Sequence, residues 1–158
     1  MPLAGLRRAR DPVPAGPSKV LLASTGIPFT AEEVRQCAAL AGRSPVTVLS
    51  VARLHGTAFG LPNPGLMPTR KEREQQLDIV STAVRALERG GRQVDGQVVI
   101  TRNPAKTIAR AARRLQVEHV VLAVPAQARL RRFIEGDAVS GLRRRLRSDV
   151  TISARPAG

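Results

Sequence analysis

Short apolar segments alternate with longer amphipathic segments along most of the chain. Five of the apolar segments are rich in β-branched residues and are too short to be helices of ordinary length. A run of this kind is typical of a strand that is buried on both of its faces. The pattern therefore predicts five β-strands, at residues 20–24, 46–51, 97–101, 119–124 and 150–153.

Four segments between these strands carry apolar residues at helical spacing. Two of them begin with residue pairs that favour a helix start, namely Thr30 with Glu33 and Asn103 with Pro104. Glycine follows the first two segments, where it favours the end of a helix. The predicted helices span about 31–41 and 70–89, start after Asn103, and start at Gly136-Asp137.

Strands that alternate with helices at this spacing predict an α/β fold. The sheet is expected to be parallel and doubly wound, because each crossover helix must cover one of its two faces. In such sheets ligands bind beyond the carboxyl ends of the strands, where the winding direction reverses. If the first and fourth strands flank that point, residues 23–25 and 123–126 form the floor of the pocket.

The length of 158 residues fits a single domain. Residues 1–18 contain four prolines and no hydrophobic periodicity, which predicts a disordered basic tail before a domain at 19–155. Residues 53–69 hold three glycines and three prolines and predict a long surface loop. His55 in that loop has no second histidine at ligand spacing and is interpreted as an ordinary loop residue.

The cysteine count and the lengths of the apolar runs exclude several classes of protein. One cysteine, Cys37, permits neither an intramolecular disulfide nor a cysteine metal cluster, and its position on an apolar stripe predicts a buried, unreactive thiol. The sequence has no apolar run long enough for a membrane span and no apolar secretory signal, so we expect a cytoplasmic protein.

His119 is expected to be a structural histidine with its hydrogen bonds satisfied. No catalytic grouping is recognisable around Ser24, Ser140 or Ser148, so we expect no enzyme activity.

The formal net charge is +14, and the excess of basic residues lies at the two ends of the chain. Such a charge favours polyanions as partners. One hypothesis is therefore a basic module that docks on RNA, the ribosome, the nucleoid or an acidic partner. With only three aromatic residues, nucleic-acid binding would be nonspecific. The alternative is a solvated helix face. The candidate residues, together with the N-terminal tail, are Arg129, Arg131, Arg132, Arg143, Arg144, Arg145 and Arg147.

The order of elements and several local motifs resemble the universal stress protein family. The motifs are VLLASTG at the end of the first strand, RNPA before the third helix, HVVLAV, and Gly136-Asp137 before a terminal VTIS. The resemblance implies a five-stranded parallel sheet of order 3-2-1-4-5, Rossmann-like and similar to adenine nucleotide alpha hydrolases. It also implies a homodimer paired through the terminal strand, Val150 to Ser153. Some members of the family bind ATP and others do not.

The ATP-binding signature of that family is G-x-x-G, nine residues, then G-[ST], with an Asp after the first strand. It falls here on Ala123, Ala126, Gly136 and Asp137, with Thr25 at the acid position, so only Gly136 matches. The two alanines add Cβ atoms where a backbone must approach phosphates. Pro125 removes an N–H donor, and the Asp137 carboxylate would repel a triphosphate.

These departures predict a degenerate site and a non-catalytic, stress-response regulatory protein of the non-ATP-binding type, with no cofactor. The candidate residues of the degenerate nucleotide site are Ser24, Thr25, Val51, Ala123, Ala126, Arg129, Gly136 and Asp137. The alternative is a member that binds ATP or another adenine nucleotide, with Arg129, Arg131 and Arg132 supplying positive charge to the phosphates.

Overall fold

The computed structural model describes residues 6–7, 18–53, 70–123, 141–146 and 150–153. The predicted loop at 53–69 lies outside these residues except for Arg53, as does the segment 124–140. Within the described part of the chain, strands and helices alternate. The elements are β1 (Leu6–Arg7), β2 (Val20–Ser24), α1 (Ala31–Ala41), β3 (Val46–Arg53), α2 (Arg70–Glu88), β4 (Val94–Thr101), α3 (Pro104–Leu115), β5 (His119–Ala123) and β6 (Thr151–Ser153).

The strands form one sheet with the order β1-β4-β3-β2-β5-β6, and all neighbouring strands run parallel. The five strands from β2 to β6 give the order 3-2-1-4-5, which confirms the predicted doubly wound fold. The chain winds outward from β2 to β3 and β4, then returns across β2 to β5 and β6. The winding direction therefore reverses between β2 and β5.

The prediction of a disordered tail over residues 1–18 is wrong at three positions. Leu6 and Arg7 pair with Gly96 and Gln97, which makes β1 a sixth strand at the edge of the sheet. Ser18 is buried, and its N–H donates to the Leu115 carbonyl at 2.9 Å. Two residues that pair through backbone atoms leave no trace in hydrophobic periodicity, so the sequence pattern could not reveal β1.

Each face of the sheet is covered by its own apolar layer. In β2, Leu21 and Ala23 pack with α3, whereas Val20 and Leu22 pack with α1 and α2. All five residues of β2 are buried. This two-sided burial explains why the strands appear in the sequence as continuous apolar runs rather than as alternating ones.

Two predicted helix starts are present. The Thr30 hydroxyl accepts from the Glu33 N–H at 3.1 Å, and a Glu33 carboxylate oxygen accepts from the Thr30 N–H at 2.7 Å. The Asn103 side-chain oxygen accepts from the Lys106 N–H at 3.1 Å, with Pro104 as the first residue of α3. These bonds satisfy N–H groups that the first turn of a helix leaves without intrahelical partners.

Some boundaries differ from the predicted ones. β4 begins at Val94, three residues earlier than predicted, because Val94, Asp95 and Gly96 pair with β3 through backbone atoms that side-chain polarity does not report. The last helix is described only at 141–145, inside its predicted span.

Cys37 lies on the inner face of α1 and is fully buried. Burial raises the pKa of its thiol to about 12, and the positive charge of Arg92 opposes this effect. Because the thiolate is the reactive form, we expect folded protein to react very slowly with a disulfide reagent such as DTNB at pH 8. Protein unfolded in guanidinium chloride should react with one equivalent at once. Rapid labelling of the folded protein would contradict the buried position.

Candidate functional site at the carboxyl ends of the strands

The reversal of winding places the carboxyl ends of three strands side by side. Ser24 of β2 is in register with Ser50 of β3 on one side and with Ala123 of β5 on the other. Ligands of doubly wound sheets bind beyond such a point. The structure therefore brings four of the predicted nucleotide-site residues to one end of the sheet: Ser24, Thr25, Val51 and Ala123.

The other four predicted nucleotide-site residues lie outside the described residues. They are Ala126, Arg129, Gly136 and Asp137, and their contribution stays a prediction. The same holds for Arg131, Arg132 and Arg147 among the candidate polyanion contacts. Arg143, Arg144 and Arg145 are described, and all three are exposed.

Ser24 holds the turn that follows β2. Its hydroxyl accepts from the Ile27 N–H at 2.9 Å and donates to the Ile27 carbonyl. The side chain is fully buried. A hydroxyl has one proton to donate, and Ser24 uses it within the turn. In this conformation Ser24 therefore shapes the crevice without offering a proton to a ligand.

Gln76 of α2 joins β3 to the loop after β2 and was not predicted as a site residue. The Ser50 hydroxyl donates to the Gln76 side-chain oxygen. The Gln76 side-chain nitrogen donates in turn to the Gly26 carbonyl at 3.1 Å. One glutamine side chain thus spans the gap between β3 and the loop after β2.

The sequence did carry a signal for Gln76. It stands four residues before Val80 and eight before Val84, so it continues the apolar stripe of α2. A polar residue on a stripe that faces the core needs buried hydrogen-bond partners. That requirement indicates a polar contact under the N-terminal half of α2, although it does not identify the partners.

Gly26 lets the loop approach Gln76 closely. Its φ angle is +97°, a value that residues with a side chain rarely adopt. A Cβ atom at this position would lie 3.6 Å from the Gln76 side-chain nitrogen and 4.0 Å from the Val51 carbonyl oxygen. The space between the loop and β3 is therefore already occupied at van der Waals distance.

The side chains of the Ser24 turn and of the Gln76 bridge are uncharged. Ser24, Ser50 and Gln76 offer hydroxyl and amide groups, and the half-exposed Thr25 stands where the family signature has a carboxylate. A threonine hydroxyl cannot accept the paired hydrogen bonds that a carboxylate accepts from the two hydroxyls of a ribose. The described part of the crevice can therefore bind neutral polar groups but holds no carboxylate at position 25 to fix a sugar.

A cavity of about 560 Å³ lies between α1 and α2. Phe29, Val34 and Ile79 supply apolar walls, and Arg35 and Asp78 supply charged groups. None of the predicted site residues lines it. Nothing in the sequence pattern distinguished this cavity from the ordinary gap between two amphipathic helices.

His119 opens β5 and is half-buried. Among the described residues its Nδ1 atom is buried without a hydrogen-bond partner, as is the side-chain nitrogen of Gln97. The expected partner of a structural histidine is therefore not found within the described part of the chain. Within the same residues, no cluster of three or more His, Cys, Asp or Glu side chains could hold a metal ion.

The comparisons with known proteins agree with this architecture. A profile of the Universal stress protein family matches residues 17–153, and the chain therefore belongs to that family. No curated protein sequence gives a significant match. Over the described residues, no helix has both the length and the apolar character needed to cross a bilayer.

Solved structures of the family share the fold at low sequence identity. A universal stress family protein from Burkholderia pseudomallei is 16% identical, with a TM-score of 0.62 over 89% of this chain and 97% of that one. A universal stress protein from Archaeoglobus fulgidus in complex with dAMP is 16% identical, with a TM-score of 0.54 over 87% and 96%. Another, in complex with cAMP, is 11% identical, with a TM-score of 0.59 over 90% and 100%.

The Gln76 bridge predicts a measurable difference between two adjacent glutamines. Gln76→Ala removes the partners of the Ser50 hydroxyl and the Gly26 carbonyl, so we expect it to lower the free energy of unfolding by about 1 to 3 kcal/mol. Gln75→Ala changes an exposed position and should cost less than about 0.5 kcal/mol. Urea denaturation of both variants measures the difference. Equal losses of unfolding free energy in the two variants would show that the Gln76 bridge does not stabilise the fold.

Proposed function

We propose that this protein is a non-catalytic regulatory member of the universal stress protein family whose crevice does not bind ATP. The observation that carries the proposal is the bridge from Ser50 through Gln76 to the Gly26 carbonyl. A nucleotide base entering between β3 and the loop after β2 would have to displace this bridge. Displacement would leave buried polar groups without partners unless the base replaced each bond.

Thr25 supports the same proposal at the sugar. It follows the central strand at the point where the family signature places the acid. The remaining support comes from the sequence at 123–137: Ala123, Ala126, Pro125 and Asp137 each make a triphosphate cradle less favourable. Base, sugar and phosphate positions all disfavour ATP, and each does so for a different physical reason.

A mononucleotide is the second candidate ligand. Relatives with this fold are seen in complex with dAMP and with cAMP. These nucleotides carry less negative charge than ATP and would suffer less repulsion from Asp137. Arg129, Arg131 and Arg132 offer positive charge in the same segment of the sequence. We place this candidate second because the Gln76 bridge opposes every adenine nucleotide in the same way.

The absence of catalysis is part of the proposal. The hydroxyl of Ser24 is engaged in its own turn, and the Cys37 thiol is buried in the core with its pKa raised. Among the described residues, neither has an adjacent base that would activate a nucleophile. Cytoplasmic localisation stays a prediction from the sequence.

Purified protein should show no binding of ATP. A ligand present at a hundred times its dissociation constant stabilises a protein by about 2.7 kcal/mol, which would raise the Tm by about 5 to 10 °C. We expect about 1 mM ATP with magnesium to leave the Tm unchanged, and mass spectrometry of denatured protein to release no nucleotide. ATP in the purified protein would refute the proposal. A shift with dAMP or cAMP alone would favour the second candidate.

We also propose a homodimer formed by pairing of β6 with its copy. β6 lies at the edge of the sheet, and the Thr151 N–H donates inward to the Glu118 carbonyl at 3.0 Å. Because backbone groups alternate in direction along a strand, the N–H and C=O of Ile152 face away from β5. An edge that presents such groups is a template for pairing with another strand.

The dimer can be tested with two adjacent substitutions. Ile152→Pro removes the outward N–H and leaves the inward bond of Thr151, so we expect it to convert a dimer into a monomer of 16.9 kDa. Thr151→Ala changes only an exposed side chain and should stay dimeric. Light scattering after size exclusion measures the masses, and circular dichroism checks folding. A monomeric wild type, or a dimeric folded Ile152→Pro variant, would contradict β6 pairing.

A further inference from the structure

Two basic segments that are far apart in the sequence share one face of the sheet. α3 and the helical segment 141–145 both pack on the apolar layer formed by Leu21, Leu49 and Val120. Ile108 and Leu115 of α3 and Leu142 of the helical segment point into this layer. Their polar sides therefore face solvent on the same side of the molecule.

Contacts at both ends of the pair hold the two segments side by side. A Cβ atom on Gly141 would lie 3.2 Å from the Cβ atom of Ala105, so glycine allows close approach at one end. At the other end the Arg113 guanidinium donates to the Arg145 carbonyl at 3.3 Å. The segment 141–145 therefore lies along α3 from its first turn towards its last turn.

The surface formed by α3 and 141–145, here named the basic face, carries charge of one sign. It has seven basic residues and no acidic residue, whereas α1 and α2 on the opposite layer together have five basic and six acidic residues. All seven side chains are exposed. The members are Lys106, Arg110, Arg113, Arg114, Arg143, Arg144 and Arg145.

Carboxylates do not neutralise this charge within the described part of the chain. None of the seven side chains forms an ion pair there, and Glu118 follows α3 only beyond its C-terminal end. In contrast, α2 pairs Arg70 with Glu74 at 3.2 Å. The basic face therefore carries seven uncompensated positive charges, whereas five basic and six acidic residues nearly cancel on α1 and α2.

We propose that the basic face binds the phosphate backbone of double-helical nucleic acid. Lys106, Arg110 and Arg114 recur every four residues, which spaces them about 6 Å apart along a rigid helix. Arginine suits this partner because its guanidinium can donate two parallel hydrogen bonds to one phosphate. A row of fixed cations beside a row of phosphates binds by releasing counterions.

Two other partners fit the basic face less well. Single-stranded nucleic acid is usually held by stacking bases on aromatic side chains, and the described aromatic residue, Phe29, lies in the cavity between α1 and α2. An anionic membrane would require apolar side chains for insertion, but the apolar residues of α3 are buried in the core. The exposed positions of α3 are all basic.

The test compares two triple variants of the full chain that lose the same charge from opposite layers. Arg110→Gln, Arg114→Gln and Arg144→Gln alter the basic face. Arg35→Gln, Arg85→Gln and Arg89→Gln alter exposed arginines beside α1 and α2. Binding to a fluorescent duplex of about 20 base pairs is measured by anisotropy at salt concentrations from about 50 to 200 mM. Circular dichroism and melting temperatures check that both variants are folded.

We expect the wild type and the control triple to bind with the same salt dependence. In the basic-face triple, the slope of log K against log salt should become shallower by about 2.7, roughly 0.9 for each lost phosphate contact on DNA. Equal slopes in the two triples would overturn the proposal, because binding would then follow net charge alone. So would absence of duplex binding at 50 mM salt. Tighter binding to single strands, polyglutamate or anionic vesicles would also overturn it.

Discussion

The structure depends on the burial of β2 between two parallel neighbours and two apolar layers. All five of its residues are buried, and it pairs with β3 on one side and β5 on the other. A strand in that position must be apolar on both faces. The same position makes its carboxyl end the place where winding reverses, so the requirement of core packing also locates the crevice.

The crevice contains two buried hydroxyl groups whose hydrogen bonds determine its shape. Ser24, at the end of β2, and Ser50, its neighbour in β3, have fully buried hydroxyls, and a buried hydroxyl needs a hydrogen-bond partner. Ser24 finds its partner in the Ile27 backbone, and Ser50 finds its partner in Gln76. Hydrogen bonds within the described residues therefore satisfy both hydroxyls.

The sequence predicted the fold well because apolar periodicity records burial, and burial defines the strands and helices of a doubly wound sheet. The capping residues Thr30 and Asn103 located two helix starts almost to the residue, since their bonds are local. Three features escaped prediction because they join distant positions: the pairing of Leu6 with Gly96, the bridge through Gln76, and the contact of Arg113 with Arg145. The charge excess was evident from composition, but the placement of seven basic residues on one layer depends on which helices share a face.

The short strand β1 also affects the order in which strand contacts form during folding. Leu6 and Gly96 are separated by ninety residues, so their pairing closes a long loop and secures only a two-residue ladder. Loop closure of this kind carries an entropic cost that such a small ladder offsets poorly. The pairing joins positions far apart in the sequence and adds few contacts. We therefore expect it to form late in folding and to open early during unfolding. The registers that β3 makes with β2 and β4 are longer and join positions that are closer in the sequence.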